Sequence, residues 1–412
     1  MTSSLYHGPE MAGRLNVLIV ATKPPWPPVD GGRLVILNTV DALAAAGHRV
    51  TLVAPVDPAA DYAAALGALA CRCRAELVPV RLPGVRAAAL SSMVRGRPLT
   101  AERHRLRAVA ERVRRLAAAE AFDVVQAEQL QAVAQASPAM ASGVPLVYRA
   151  HNIESVLWTY AALFARPFER ILLRREARRL AAFERATIRR AAATVVLTEL
   201  DAVPLRRSVG PGPAIERVPV PFAAEMAPSG VPLPGHPALV TLASPTWPPS
   251  RETALQVARQ WWPAIRRRLP DAVLHVFGGV DGGPLDGVEW HPAPADSALA
   301  FATGAVVAIP ARHPTGIPVK GLEAWARGLP LIGSAQTAEA LEAVAGRELI
   351  VADDPEGFAA SLQQLASDPA LRARVVEGGR ARLRALHDPA EVAEQLTALY
   401  RSLDRAPRGS HP

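Results

Sequence analysis

Residues 315–334, TGIPVKGLEAWARGLPLIGS, set a lysine and a glutamate three residues apart just after a Gly-Ile-Pro turn. A proline near a first helical turn suits a helix start, because its missing N–H would be unpaired there. A helix is therefore predicted from near Pro318, stopped by Gly328 and followed by a buried strand at 329–332. The N-terminus of such a helix presents unpaired N–H groups and about half a unit of positive charge, which can hold a phosphate or diphosphate. Lys320 adds a full charge in the first turn. Of the 46 Lys and Arg residues only Lys23 and Lys320 are lysines, so a compact ammonium at 320 points to a position where arginine would not serve. The plainer alternative is a solvated helix residue. Glu323 either pairs with Lys320 across the helix surface or accepts hydrogen bonds from ribose hydroxyls.

Such a site needs a sheet to position it. An apolar run at 16–21 reads as a strand buried on both faces. It is followed by KPPWPPVDGG and a helical pattern from Arg33 to Ala46. Strand, glycine pair and helix is an arrangement that brings backbone amides to a ligand, and it is also what a turn after a proline-stiffened loop looks like. Short apolar strands then alternate with amphipathic helices, one of them predicted as continuous over about 100–121. This alternation means a parallel, doubly wound sheet whose ligands lie beyond the carboxyl ends of its strands. The segment Arg149-Ala150-His151-Asn152 falls at such an end, where His151 is either a donor or proton carrier or a bystander to a capping asparagine. Dense proline at 204–237 marks a linker. A second alternating set begins at 238.

The pattern Gly316-Ile317-x-x-Lys320-x-Leu322-Glu323-Ala324-x-Ala326-x-Gly328-x-Pro330 resembles the donor-binding signature of GT-B glycosyltransferases, in particular the GT4-like group of retaining, nucleotide-sugar-dependent enzymes. The glutamate many of them carry eight residues before the first-named one is replaced here by Thr315. The resemblance implies two Rossmann-like α/β domains facing across a cleft: 14–222 on the acceptor side, 237–386 binding the nucleotide sugar, and a helix at 387–405 crossing back to the first domain. It further implies that Gly31 and Gly32 face the donor phosphates, that His151 lies beside the reacting sugar, and that Gly316, Ile317, Lys320 and Glu323 bind the donor. The family's 244–251 loop often supplies an Arg and a Lys to the diphosphate, and only Arg251 is present here.

A chain of 412 residues, half of them hydrophobic and 20% charged, suits two cores. No apolar run reaches the ~18 residues of a membrane span, and the chain reads as cytoplasmic. Cys71 and Cys73 alone cannot build a disulfide framework or a four-ligand zinc site. The sequence shows no clustered metal-ligand motif, so no metal or other cofactor is expected. The net charge of +8 and pI near 10.2 come from arginine spread along the whole chain, and with no zinc-finger or RNA-binding motif nucleic acid is not an expected partner. The basic segment 166–190 is either an amphipathic helix packed through Leu172, Leu173, Leu180, Phe183 and Ile188 or a peripheral contact with an anionic membrane or lipid-linked acceptor. The function expected is transfer of a sugar, hexosyltransferase-like and with retention, from a nucleotide sugar to a small-molecule, glycan or lipid-linked acceptor. A nucleotide-sugar epimerase of the same fold and a non-catalytic nucleotide-sugar-binding or scaffold protein are the alternatives.

Overall fold

The computed structural model describes residues 13–244, 248–294, 296–311 and 315–403. Near-continuous apolar runs become two parallel sheets. The first contains β1 (Asn16–Val20), β2 (Arg49–Val56), β3 (Arg74–Pro79), β4 (Val124–Glu128), β5 (Leu146–Ala150), β6 (Ala193–Val196) and β7 (Ile215–Arg217), in the order β3-β2-β1-β4-β5-β6-β7. The second contains β8 (Ala238–Leu242), β9 (Val273–Phe277), β10 (Val288–His291), β11 (Val306–Ile309), β12 (Leu331–Gly333) and β13 (Ile350–Val351), in the order β10-β9-β8-β11-β12-β13. Both sheets start near the middle and wind outward in two directions. Each therefore has a crevice at the carboxyl edge where strand order reverses, between β1 and β4 and between β8 and β11.

Apolar clusters cover both faces of each sheet. The cluster under the second sheet also takes in Val35 and Leu197 from the first half of the chain, so the two units share core. The chain returns at its end: His387 Nδ1 pairs with the Val220 carbonyl at 2.8 Å, and Phe222 N–H donates to the His387 carbonyl at 2.7 Å. Burial pushes the His387 imidazole down to about 4, against the backbone bond that raises it, so it is a neutral clasp. Asp388 then caps the helix Pro389–Ser402, whose Val392, Leu396 and Tyr400 are buried in the first sheet's core. Among the described residues no helix is long and apolar enough to cross a membrane.

Three features differ from the sequence reading. The single helix expected over 100–121 is two, Leu99–Arg103 and Arg107–Ala119, because the His104 carbonyl at the break is taken by the Gln135 side chain instead of a helical N–H. Helices Val85–Arg95, Ala335–Ala340 and Glu154–Phe164 are additional. The last of these pairs with the basic helix Pro167–Arg190. Leu180 and Ile188 of that helix are buried as expected, whereas Leu172 is 53% exposed, because the first turns of the helix pack on its neighbour and not on the sheet.

Candidate functional site

At the crevice of the first sheet, β4 ends in Glu128 and β5 runs on into His151. The two strands pair Glu128 with Arg149, which brings the histidine that follows β5 within reach of the carboxylate. His151 Nε2 lies 2.5 Å from Glu128 Oε2, and both side chains are buried. Glu128 also accepts from Gln126 Nε2 at 2.7 Å and lies 3.6 Å from Arg149 NH1. Burial alone would raise its pKa, but Arg149, His151 and the hydrogen bonds outweigh that and hold it below the ordinary carboxylate range. An ionised Glu128 fixes a proton on His151 Nε2, and Nδ1, buried and without a hydrogen-bond partner among the described residues, is left as the nitrogen able to accept a proton or a bond.

Glu128, Gln126 and Arg149 were not singled out from sequence. The signal lay in VVQAE, an acid closing an otherwise apolar buried strand.

The glycine pair opens the helix Gly31–Ala45, two residues earlier than its periodicity suggested. Asp30 caps it, accepting from Arg33 N–H at 3.0 Å and holding Lys23 Nζ at 2.8 Å from each oxygen. Burial raises the Asp30 carboxyl, and Lys23 and Arg33 more than reverse this. Gly31 is closely packed: a Cβ there would stand 3.2 Å from Cβ of Val319, and one on Gly32 would touch Asp30, Gln129 and Lys23. The N-terminus of the first unit's glycine helix thus abuts the N-terminus of helix Val319–Ala326 in the second.

That second helix has Pro318 at its cap with no side-chain cap bond, so its first turn remains available to an anion. Lys320 reaches the crevice of the second sheet, where Nζ donates to the carbonyl of Leu242, the last residue of β8, at 3.0 Å. Among the described residues no carboxylate pairs with it. Burial pushes its ammonium down to about 8.

Glu323 does not pair with Lys320. Its Oε1 accepts from Ser297 at 2.5 Å and from Arg327 at 3.0 and 3.1 Å, because the i,i+4 arginine lies on the same buried side of the helix. Burial raises the Glu323 pKa against these bonds. Ile317 packs on the second core. Arg251 is half-exposed and paired with Glu252 at 3.0 Å, and the 245–247 part of its loop lies outside the described residues.

Gly316, at φ +80°, faces the histidine loop so closely that a Cβ would fall 1.9 Å from Asn152 Oδ1 and 3.3 Å from the His151 carbonyl. Thr315 donates to Asp201 and accepts from Ile153 N–H at 2.8 Å. The Gly316 N–H donates to the same Asp201 carboxylate at 3.1 and 3.3 Å. Asp201 is in turn held by Thr198 at 3.0 Å, in the first turn of helix Glu199–Val209. Burial raises its pKa, in part countered by Thr315, Thr198 and Gly316. Sequence reasoning missed Asp201, since a Thr-x-x-Asp pair reads as an ordinary helix cap. A second bridge between the units joins Arg217 NH2 to Glu342 Oε2 at 2.6 Å. The site therefore brings His151, Gly31, Gly32, Gly316, Ile317 and Lys320 to facing crevices, keeps Glu323 beneath them on an arginine, and leaves Arg251 at the surface.

Residues 30–223 match the family described as a glycosyl transferase 4-like domain, and residues 251–398 match one described as glycosyl transferase-like. No curated protein matches the chain. Among solved structures, the chain resembles sucrose-phosphate synthase from Thermosynechococcus elongatus, at TM-score 0.69 and 16% identity, over 94% of this chain and 99% of that one. Anabaena HepE in complex with UDP and glucose is similar at TM-score 0.64 and 14% identity, over 95% and 100%. The glycotransferase of kitacinnamycin is similar at TM-score 0.56 and 20% identity, over 94% and 99%. These structural likenesses bear on the fold, the two family matches on the activity.

Proposed function

The chain belongs to the GT-B glycosyltransferases, and on that premise we propose that it moves a sugar from a nucleotide-sugar donor to an acceptor hydroxyl, with retention at the anomeric carbon. The observation that carries this reading is the meeting of two helix N-termini at Gly31 and Val319, next to a buried lysine with no carboxylate partner among the described residues. Two helix ends and an ammonium form a preorganised counter-charge for a leaving diphosphate. In this role Lys320 does what a metal ion would otherwise do. HepE structures that hold UDP and UDP-glucose support a donor of this class. As the anomeric C–O bond to phosphate breaks, the acceptor oxygen bonds to the same face of the sugar and its proton passes to the departing phosphate. His151 Nδ1 hydrogen-bonds the sugar beside that exchange. Glu323 takes the ribose hydroxyls, with its other bonds holding it in place.

The amide of Gly316 enters the diphosphate site only when Asp201 gives it up, so donor binding loosens one link between the two units. The free thiols of Cys71 and Cys73 go with a cytoplasmic setting. The basic helix hairpin, with aromatic and aliphatic side chains in solvent at its turn, supports peripheral contact with an anionic membrane.

Incubation with a panel of nucleotide sugars, UDP-glucose first, tests the reading. Transfer or slow hydrolysis with release of nucleoside diphosphate is expected. Epimerisation without release, or binding with neither, would replace it with one of the two alternatives.

A further inference from the structure

The edge of the second sheet carries a second cluster with no part in the donor site. Strands β9 and β10 pair Glu289 with His275 and His291 with Phe277, and the period of two in a strand puts His275, Glu289 and His291 on one face. His275 is fully buried. Its Nε2 lies 2.9 Å from the carbonyl of Pro234, an acceptor only, so this nitrogen carries the proton and Nδ1 presents a lone pair. That lone pair lies 3.0 Å from His291 Nε2 and 3.3 Å from a Glu289 oxygen, which is itself 3.7 Å from His291 Nε2. A proton on His291 Nε2 can donate to that lone pair, and a metal ion in its place would join both imidazole nitrogens and the carboxylate oxygen that faces them.

The spacing also suits one. Ligands about 2.0–2.1 Å from a tetrahedral zinc stand about 3.3 Å from one another, in the middle of the three separations above. The His291 ring is oriented by stacking on Phe277, 4.2 Å between centroids and 12° between planes. A backbone carbonyl on the far nitrogen of His275 is the kind of outer partner that orients metal-binding histidines.

We propose that His275, Glu289 and His291 form a binding site for a divalent ion of the zinc class, completed by water in the fourth position. Two imidazoles and one carboxylate suit zinc or cobalt better than magnesium or calcium. The ion ties edge strand β10 to β9 and, through the Pro234 carbonyl, to the segment that connects the two sheets. This is a stabilising site on the two strands to one side of β8, the strand that ends in Leu242 beside Lys320.

The test uses the untagged full chain, stripped with a chelator and titrated with cobalt as a coloured probe and then with zinc. Expected are one ion per chain, visible bands of a four-coordinate site, and a zinc-dependent rise in melting temperature. His291→Gln should abolish the bands. Glu289→Gln, at a half-exposed position, should weaken binding by at least the roughly tenfold to hundredfold that loss of an outer partner costs. Both variants should keep the parental circular dichroism. No uptake by the parent chain, or equal uptake by His291→Gln (an adventitious ion only), would overturn the assignment and leave the cluster as a hydrogen-bonded histidine pair.

Discussion

Tyr400 on the last helix and His151 in the cleft are the two ends of one buried hydrogen-bonded chain. The Tyr400 hydroxyl donates to Gln126 Oε1 at 2.6 Å across 274 residues of sequence. Gln126 Nε2 donates to Glu128, and Glu128 holds His151. Each link fixes the orientation of the next: the tyrosine sets which way the amide points, the amide sets the carboxylate, and the carboxylate sets the tautomer of the histidine. The returning helix is thus part of the site as well as a strap. Removing the hydroxyl in Tyr400→Phe should cost about 1 kcal/mol of stability and lower kcat several-fold with KM for the donor little changed. An unchanged kcat at the same loss of stability would mean that the tyrosine only packs.

The histidine itself should be worth more. His151→Ala is expected to lower turnover strongly while affinity for the nucleoside diphosphate stays near the parent's, because its partners are on the sugar and acceptor side. Glu128→Gln keeps the shape, removes the charge that fixes the tautomer, and should lower kcat by a smaller factor. Equal rates for His151→Ala and the parent would return the histidine to a buried loop residue held by Glu128.

Much of this architecture was legible in the sequence. Val273–Phe277 and the strands around it are short, mostly apolar runs whose burial on both faces leaves little freedom in assignment, and Gly328, at φ +71°, marks a helix end by a left-handed conformation that glycine serves best. The site was legible where a residue type was rare, as at Lys320, or where a strand visibly ended, as at His151. It was illegible where the partner is set by register or by a crossing of the whole chain: Glu128 becomes an orienting group only because β4 lies beside β5, and Tyr400 meets Gln126 only after the chain returns. Leu172 was placed on the buried face because helical periodicity says which residues share a side, not what that side meets.

Asp201 makes a second variable site. It holds Thr315 and the Gly316 amide where an anionic donor is proposed to bind, so its carboxylate competes with the ligand for the same N–H. Asp201→Asn retains an acceptor and removes the charge. Affinity for the nucleoside diphosphate should then rise by about threefold to tenfold, the worth of roughly 1 kcal/mol. A fall in affinity would show that Asp201 serves the bound state and does not oppose it.

At the turn of the helix hairpin, Leu163, Phe164, Phe168, Ile171 and Leu172 are each more than half exposed, with Arg166, Arg174 and Arg175 in solvent around them. Apolar side chains within a basic rim suit insertion into an anionic bilayer surface. The chain should sediment with anionic vesicles at low salt and be released as salt screens the arginines. The double change Phe164→Ser and Phe168→Ser should cut the bound fraction at every salt concentration, while neutral vesicles bind little. Equal recovery in the supernatant with both kinds of vesicle would remove the membrane from the account.

The sharpest test lies in Lys320, because its proton is a ligand too. Burial brings its ammonium down to about 8, against about 10.4 in an unfolded chain. Between those values the unfolded chain holds one more proton than the ligand-free folded one, so stability from this group rises with pH through that window and is least below it. Diphosphate affinity should run the other way, since a neutral amine cannot pair with the anion, and should weaken as pH climbs above 8. At pH 8 to 9 binding must therefore take up a proton, and calorimetric heats should change with the ionisation enthalpy of the buffer. Lys320→Ala should abolish that proton uptake and lose the roughly 1.5–3 kcal/mol of a charge-assisted contact, about tenfold to a hundredfold in affinity. Lys320→Arg stays charged across the range, so its binding should be weaker than the parent's at pH 7 and flat in pH, because a planar fork cannot take the place of a compact ammonium against the Leu242 carbonyl. If Lys320→Ala binds the nucleoside diphosphate as tightly as the parent, with the same buffer dependence, the diphosphate does not sit where the two helices meet.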